Sequence, residues 1–206
     1  MTATFETADG LTLEAAWSTP ETPRGAVVLC HPDPRQRGTM NAPLLKSLAG
    51  AMSDAGLAVL RFNFRGVGRS QGVMGDGTEE VADVDAAVRT ARDTHPDLKT
   101  GVAGWSFGGV VALRWQAQTA SRFEYAGIAP PVWFPDDRGR LLPEPGELEP
   151  AGRLFVIGDR DQFTRVDDLR SYADSIGARL EVVEGSDHFF FFREEAVGKA
   201  LVEHFG

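Results

Sequence analysis

Residues 104 to 109 read GWSFGG. A serine between small residues, after an apolar run and before a helix-like one, has the setting of a nucleophile on a tight strand-to-helix turn. Glycines at 104, 108 and 109 remove side chains where that turn presses helix and strand backbones together. The first helical amides then point at the serine oxygen, where an anion is stabilised. Trp105 is expected to pack beneath the turn. A serine hydroxyl attacks poorly until a base takes its proton, so Ser106 requires a histidine. Of the four in the chain, His95 precedes Pro96 at a helix end and His204 lies in the last helix, and both are expected at the surface. His31 ends the run AVVLC; it is expected to shape its own loop and to border the substrate. His188, in GSDHFFFF, follows the last apolar run and is the expected base.

The base in turn needs a carboxylate to hold its tautomer and stabilise the imidazolium. Asp187 is adjacent to His188 and poorly placed to reach back to its ring. The stretch VIGDRDQFT offers Asp159 and Asp161. Asp161 lies deeper in the loop, where a side chain can turn back across the rim, and is the expected acid. The order Ser106, Asp161, His188 is that of one known triad architecture.

These residues need elements to carry them. Apolar-polar alternation around Phe5 and over residues 11–17, with Asp9-Gly10 between, signals a hairpin. Short apolar runs follow at 26–30, 57–63, 101–105, 125–129, 153–158 and 179–185, several nearly continuous, as strands covered on both faces must be. Helix patterns occupy 41–55, 78–94, 107–119, 166–176 and 190–204. In the second, Val81, Val84, Ala87, Val88 and Ala91 recur at helical spacing, with Glu79, Asp83 and Arg92 expected on the polar face. A hairpin followed by strand-helix alternation predicts an α/β fold: a mostly parallel sheet with helices on both faces. Residues 130–150 hold six of the twelve prolines and predict a surface loop on the rim where such sheets bind ligands.

Composition narrows the setting. With 206 residues, 42% hydrophobic and 25% charged, the chain is expected to be one soluble domain spanning 1–206. A net charge of −9 argues against nucleic-acid and anionic-membrane partners. The single cysteine, Cys30, forms no internal disulfide and is expected to be a buried strand residue. No signal peptide pattern is visible, so a cytoplasmic location is expected.

Several motifs together carry a resemblance. His31, Pro32 and Pro34, then Gly38-Thr39-Met40-Asn41, Phe62-Asn63-Phe64-Arg65-Gly66, the serine turn, and Asp161 with His188 match HPxP…GTMxN, FNFRGxGxS, GxSxGG and G-x-x-D…G-x-DHFF. On these the chain resembles the α/β-hydrolase superfamily over essentially its whole length, and more narrowly its small, lidless bacterial members. The resemblance implies the α/β-hydrolase fold, with about eight strands, an N-terminal antiparallel hairpin and no cap domain. It also implies a serine hydrolase without a cofactor, acting through an acyl-enzyme on small carboxylic esters or thioesters as a short-chain carboxylesterase.

In that superfamily one oxyanion-hole donor is the amide after the nucleophile, here Phe107. The other comes from the loop after AVVLC, where Pro32 and Pro34 have no N–H. Asp33 is then the nearest donor, with Arg35 next. An aspartate departs from the family's usual non-acidic residue there, and its charge opposes the forming anion unless it pairs with Arg35 or Arg37. Two alternatives follow: a hydrolase-fold protein that binds with little turnover, or a hydrolase of another acyl class such as a lactone, thioester or peptide.

The pocket walls are expected from Trp133, Phe134 and Phe163, with Phe189 to Phe192 anchoring the last helix and Phe189 also facing substrate. Arg35, Arg37, Arg65 and Arg69 all lie in rim loops and could hold an anionic group on the substrate, although Arg65 also suits bracing its own turn. GVGRSQG at 66–72 lacks the dinucleotide spacing and reads as a structural loop. No His/Cys cluster has zinc spacing, so no metal is expected.

Overall fold

The structure, a computed structural model, describes residues 2–133 and 139–206. Its strands are β1 (Thr2–Glu6), β2 (Thr12–Ser18), β3 (Gly25–Cys30), β4 (Leu57–Phe62), β5 (Thr100–Trp105), β6 (Tyr125–Ile128), β7 (Arg153–Gly158) and β8 (Arg179–Val183). They form one sheet in the order β1-β2-β4-β3-β5-β6-β7-β8. The β1–β2 hairpin and the β2–β4 pairing are antiparallel, and every other pairing is parallel. Gly10, at φ 82°, closes the hairpin where the Asp9-Gly10 signal falls.

The helices are α1 (Pro43–Asp54), α2 (Glu80–Thr94), α3 (Phe107–Gln118), α4 (Val166–Ser175) and α5 (Glu194–Phe205). They divide the core into two layers. Val28 and Cys30 of β3 belong to the layer that includes residues of α2, α3 and α4, whereas Val27 and Leu29 of the same strand belong to the layer of α1 and α5. Both faces of β3 are therefore sealed, which is why its sequence is continuously apolar. Between β6 and β7 the described residues carry a single 3-10 turn, Pro145–Glu147, and no α-helix. The architecture is the α/β-hydrolase fold without a cap.

Two local expectations are corrected. The last helix begins at Glu194, not at 190, because Phe190 and Phe192 take positive φ values of 56° and 62° that no helix allows. Asp83, expected on the polar face of α2, is completely buried. Its carboxylate receives the Arg65 guanidinium at 2.7 and 2.9 Å and the Arg65 amide at 2.8 Å, so a paired ion sits where solvent was expected. Burial raises the Asp83 pKa while Arg65 opposes that rise. Glu80, also buried, accepts the amides of Gly75 and Gly77 and so moulds the loop before α2.

Candidate active site

Chain direction across the sheet reverses between β3 and β5: β4 lies on one side of β3, and the chain then crosses to β5 on the other. Ligands gather at such a switch point, beyond the carboxyl ends of the strands. Ser106 follows β5 there, and Asp33 follows β3.

Ser106 sits at φ 52°, ψ −119°, a conformation that non-glycine residues rarely hold. Its N–H donates to Ile128 O at 2.8 Å, pinning the turn to β6. The flanking glycines are sterically required. A Cβ on Gly104 would overlap the Gly108 backbone, and one on Gly108 would lie 2.5 Å from His31 O. The strained serine is thus held by backbone contacts that only glycine permits, and the strain points its side chain out of the sheet.

His188 Nδ1 lies 2.8 Å from Asp161 Oδ2. The other Asp161 oxygen accepts the amides of Phe163 and Thr164 at 2.8 and 2.9 Å, and its side chain is fully buried. The competing carboxylates are committed elsewhere. Asp159 accepts the Ser186 amide, and Asp187 accepts the amides of Phe189 and Phe190. The loops that carry Asp161 and His188 are stitched together, with Arg160 N–H donating to Ser186 O at 2.9 Å and Gly158 packed against the Ser186 carbonyl. Around the His188 ring stand Phe163, Phe189 and Trp105, with centroids 4.8, 5.7 and 6.1 Å away. Trp105 also donates its indole N–H to His188 O at 3.1 Å, fixing His188 to the strand that leads into Ser106.

His31, expected to border the substrate, is instead fully buried with both ring nitrogens in use. Nδ1–H donates to Pro32 O at 2.7 Å, and Nε2 accepts the Phe64 N–H at 3.1 Å. Burial holds its pKa down at about 4, so the ring is neutral and serves as a strut between two loops. His204, expected at the surface, is partly buried and bonded through Nε2 to Tyr125 O.

After β3 the chain makes a 3-10 turn over Pro34–Gln36, capped by the Asp33 carboxylate. That carboxylate accepts the Arg35 amide at 2.8 Å and meets its guanidinium at 2.9 Å. The Arg35 amide is therefore occupied. Among the described residues, the amides of Asp33 and Phe107 have no acceptor within the protein, and both residues border the same cavity as Ser106 and His188.

That cavity measures about 670 Å³ and includes Trp133 and Phe163 in its walls. Phe189 instead faces a second cavity of about 240 Å³, which also reaches Ser106 and His188. Phe134 lies outside the described residues. The expected arginine cluster does not form as a unit. Arg65 is buried against Asp83 and Asp9, Arg69 lines neither cavity, and Arg35 and Arg37 face different ones. Arg165 and Asp168 enter the larger cavity from the start of α4 and were not anticipated. Their place just past the Asp161 loop was the available signal. Leu44, in the smaller cavity, is one apolar residue of α1 among several and carried none.

Residues 21–148 match the sequence pattern of the serine aminopeptidase S33 family of hydrolases. The chain belongs to that family. This hydrolase is similar to an α/β serine hydrolase homologue from Coxiella burnetii, with 28% identity, a TM-score of 0.85, and coverage of 100% of this chain and 97% of that one. It is also similar to a serine hydrolase without a lid from Xanthomonas campestris, with 26% identity, a TM-score of 0.84, and coverage of 99% and 92%. A monoacylglycerol lipase of Mycolicibacterium smegmatis is 30% identical over 119 residues, 56% of this hydrolase and 41% of the lipase. Among the described residues, no helix of the hydrolase is long and apolar enough to cross a membrane.

Proposed function

We propose that this hydrolase cleaves small carboxylic esters or thioesters through an acyl-enzyme on Ser106, as a short-chain carboxylesterase. The observation that carries this reading is the 2.8 Å contact of His188 Nδ1 with Asp161 Oδ2, on a ring that borders the same cavity as Ser106. With Nδ1–H donating to Asp161, Nε2 is the nitrogen left to take the Ser106 proton. Ser106 Oγ then attacks the carbonyl carbon, and the oxyanion receives the free amides of Phe107 and Asp33. The alcohol departs with the proton from His188. Water attacks the acyl-enzyme by the same route and releases the acid and Ser106.

The Asp33 carboxylate is compatible with turnover because Arg35 compensates its charge at 2.9 Å. That pairing favours an enzyme over a protein that binds without turnover. Among the described residues between β6 and β7 there is no α-helix to enclose a long chain, which supports small acyl groups. The test is labelling by a fluorophosphonate together with turnover of acetate and butyrate esters. Labelling that maps to Ser106 and is lost in Ser106→Ala supports the reading. Turnover retained in Ser106→Ala removes it, and a preference for long-chain lipid esters removes its short-chain part.

A further inference from the structure

We propose that Ser106 stands on the divide between two chambers and that each takes one side of the ester: the acyl group in the smaller, the alcohol or thiol in the larger. This rests on the serine hydrolase reading and adds the shape of the substrate. The two cavities, about 670 and 240 Å³, share only Asp33, Gln36, Ser106 and His188 in their walls. Those four include the nucleophile, the base and one amide donor. A carbonyl placed over Ser106 therefore directs its two substituents into different chambers.

The chemistry of the walls decides which substituent goes where. The smaller chamber is walled mainly by apolar side chains, Pro43 and Leu44 of α1, Trp105, and Phe189 and Phe191 after His188, with Arg37 and Glu194 as its charged lining residues beyond those shared with the larger. The larger adds Gln162, Thr164, Arg165 and Asp168 to its aromatic surfaces. In deacylation, water attacks from the side that the alcohol vacated, so the leaving-group chamber must be the hydrated one. The acyl group stays bonded to Ser106 through both steps and gains most from an apolar chamber. Polar groups in the larger chamber hydrogen-bond the entering water and the departing alcohol.

Charge and shape narrow the alcohol further. Three carboxylates line the larger chamber, Asp33, Asp76 and Asp168, against the two guanidiniums of Arg35 and Arg165; Arg35 is paired with Asp33, and Arg114 outside the lining acts on Asp76. A chamber with excess negative charge disfavours an anionic leaving group. Trp133 and Phe163, half exposed at 48% and 52%, offer ring surface in its wall. Arg140 braces Trp133 from 5.2 Å. The substrate class is thus a small apolar acyl ester of a larger, uncharged, flat alcohol or thiol.

The test varies one side at a time: 4-nitrophenyl esters from acetate to octanoate, and acetates of ethanol, phenol, 2-naphthol and a carboxylate-bearing phenol. Leu44→Ala should raise the hexanoate-to-acetate ratio of kcat/KM about tenfold and leave the order of alcohols unchanged. Phe191→Ala, at an exposed position, should move the same ratio in the same direction if Leu44→Ala does not fold. Trp133→Ala should lower the 2-naphthyl-to-ethyl ratio about tenfold with the acyl order kept. Acyl-side variants that change only the alcohol order, or neither order, overturn the assignment. Preference of the wild type for the carboxylate-bearing phenol overturns the charge argument. Failure of Ser106 to label would instead remove the hydrolase mechanism beneath both.

Discussion

Nδ1 of His188 meets Oδ2 of Asp161 at 2.8 Å although the two residues are 27 positions apart, and two backbone amides hold the other oxygen of that carboxylate. The carboxylate cannot rotate without breaking three hydrogen bonds. Asp161→Asn keeps an acceptor for the amides but turns an N–H₂ toward the imidazole, which selects the wrong tautomer. Ester kcat should fall about 10⁴-fold. Asp159→Asn still accepts the Ser186 amide and should stay within about tenfold of wild type. Steady-state rates of the two variants on one ester check this, and the reverse ranking would reassign the acid.

Backbone strain at Ser106 separates stability from activity. At φ 52° and ψ −119°, alanine inherits the strain and glycine does not. Ser106→Ala and Ser106→Gly should both lose turnover, with the glycine variant more stable than the alanine variant by about 1 kcal/mol. Urea unfolding of the pair measures the difference. Equal stability would mean the turn carries no strain.

The oxyanion donor proposed at Asp33 is a backbone amide, so removing its side chain and removing its N–H have different effects. Asp33→Ala keeps the N–H but loses the cap and the pairing with Arg35, and kcat should drop by about tenfold or less. Asp33 lies at φ −53°, which proline accepts. Asp33→Pro deletes the donor and should cost about 10²- to 10³-fold in kcat. Similar rates for the two variants would place the second donor elsewhere.

His31 links stability to acid. Its folded pKa of about 4 lies below the ordinary 6.5, because burial penalises the charged ring. Between those values the unfolded chain binds a proton that the folded one does not, so stability falls as pH drops from 6.5 toward 4. The contribution is complete above 6.5 and gone below about 4. His204, also lowered by burial, acts in the same direction. His31→Gln should therefore flatten the acid limb by about 1 kcal/mol per pH unit, measured by urea unfolding across this range. An unchanged slope would show that His31 is protonated in the fold.

What could be read from the sequence was whatever depends on local pattern. The strands are continuous apolar runs because both faces are covered, as Val27 and Val28 on opposite layers illustrate. The glycines around Ser106 announced the turn because nothing larger fits between the strand and helix backbones. That Asp161, and not Asp159, meets the His188 ring was also accessible, since depth in a loop limits where a side chain can reach. Other features depended on partners distant in the chain. Asp83 has the composition of a solvent-facing position and is buried because Arg65, from another loop, neutralises it. His31 is a strut because the Phe64 amide arrives beside it, which no spacing around His31 encodes. The division of the site into two chambers is of the same kind: Leu44, Trp105 and Phe191 come from α1, β5 and the loop before α5 and become one wall only when these pack together. Local sequence carries the periodicity and steric limits that build each element, whereas burial, charge pairing and cavity shape are properties of surfaces that meet only after folding.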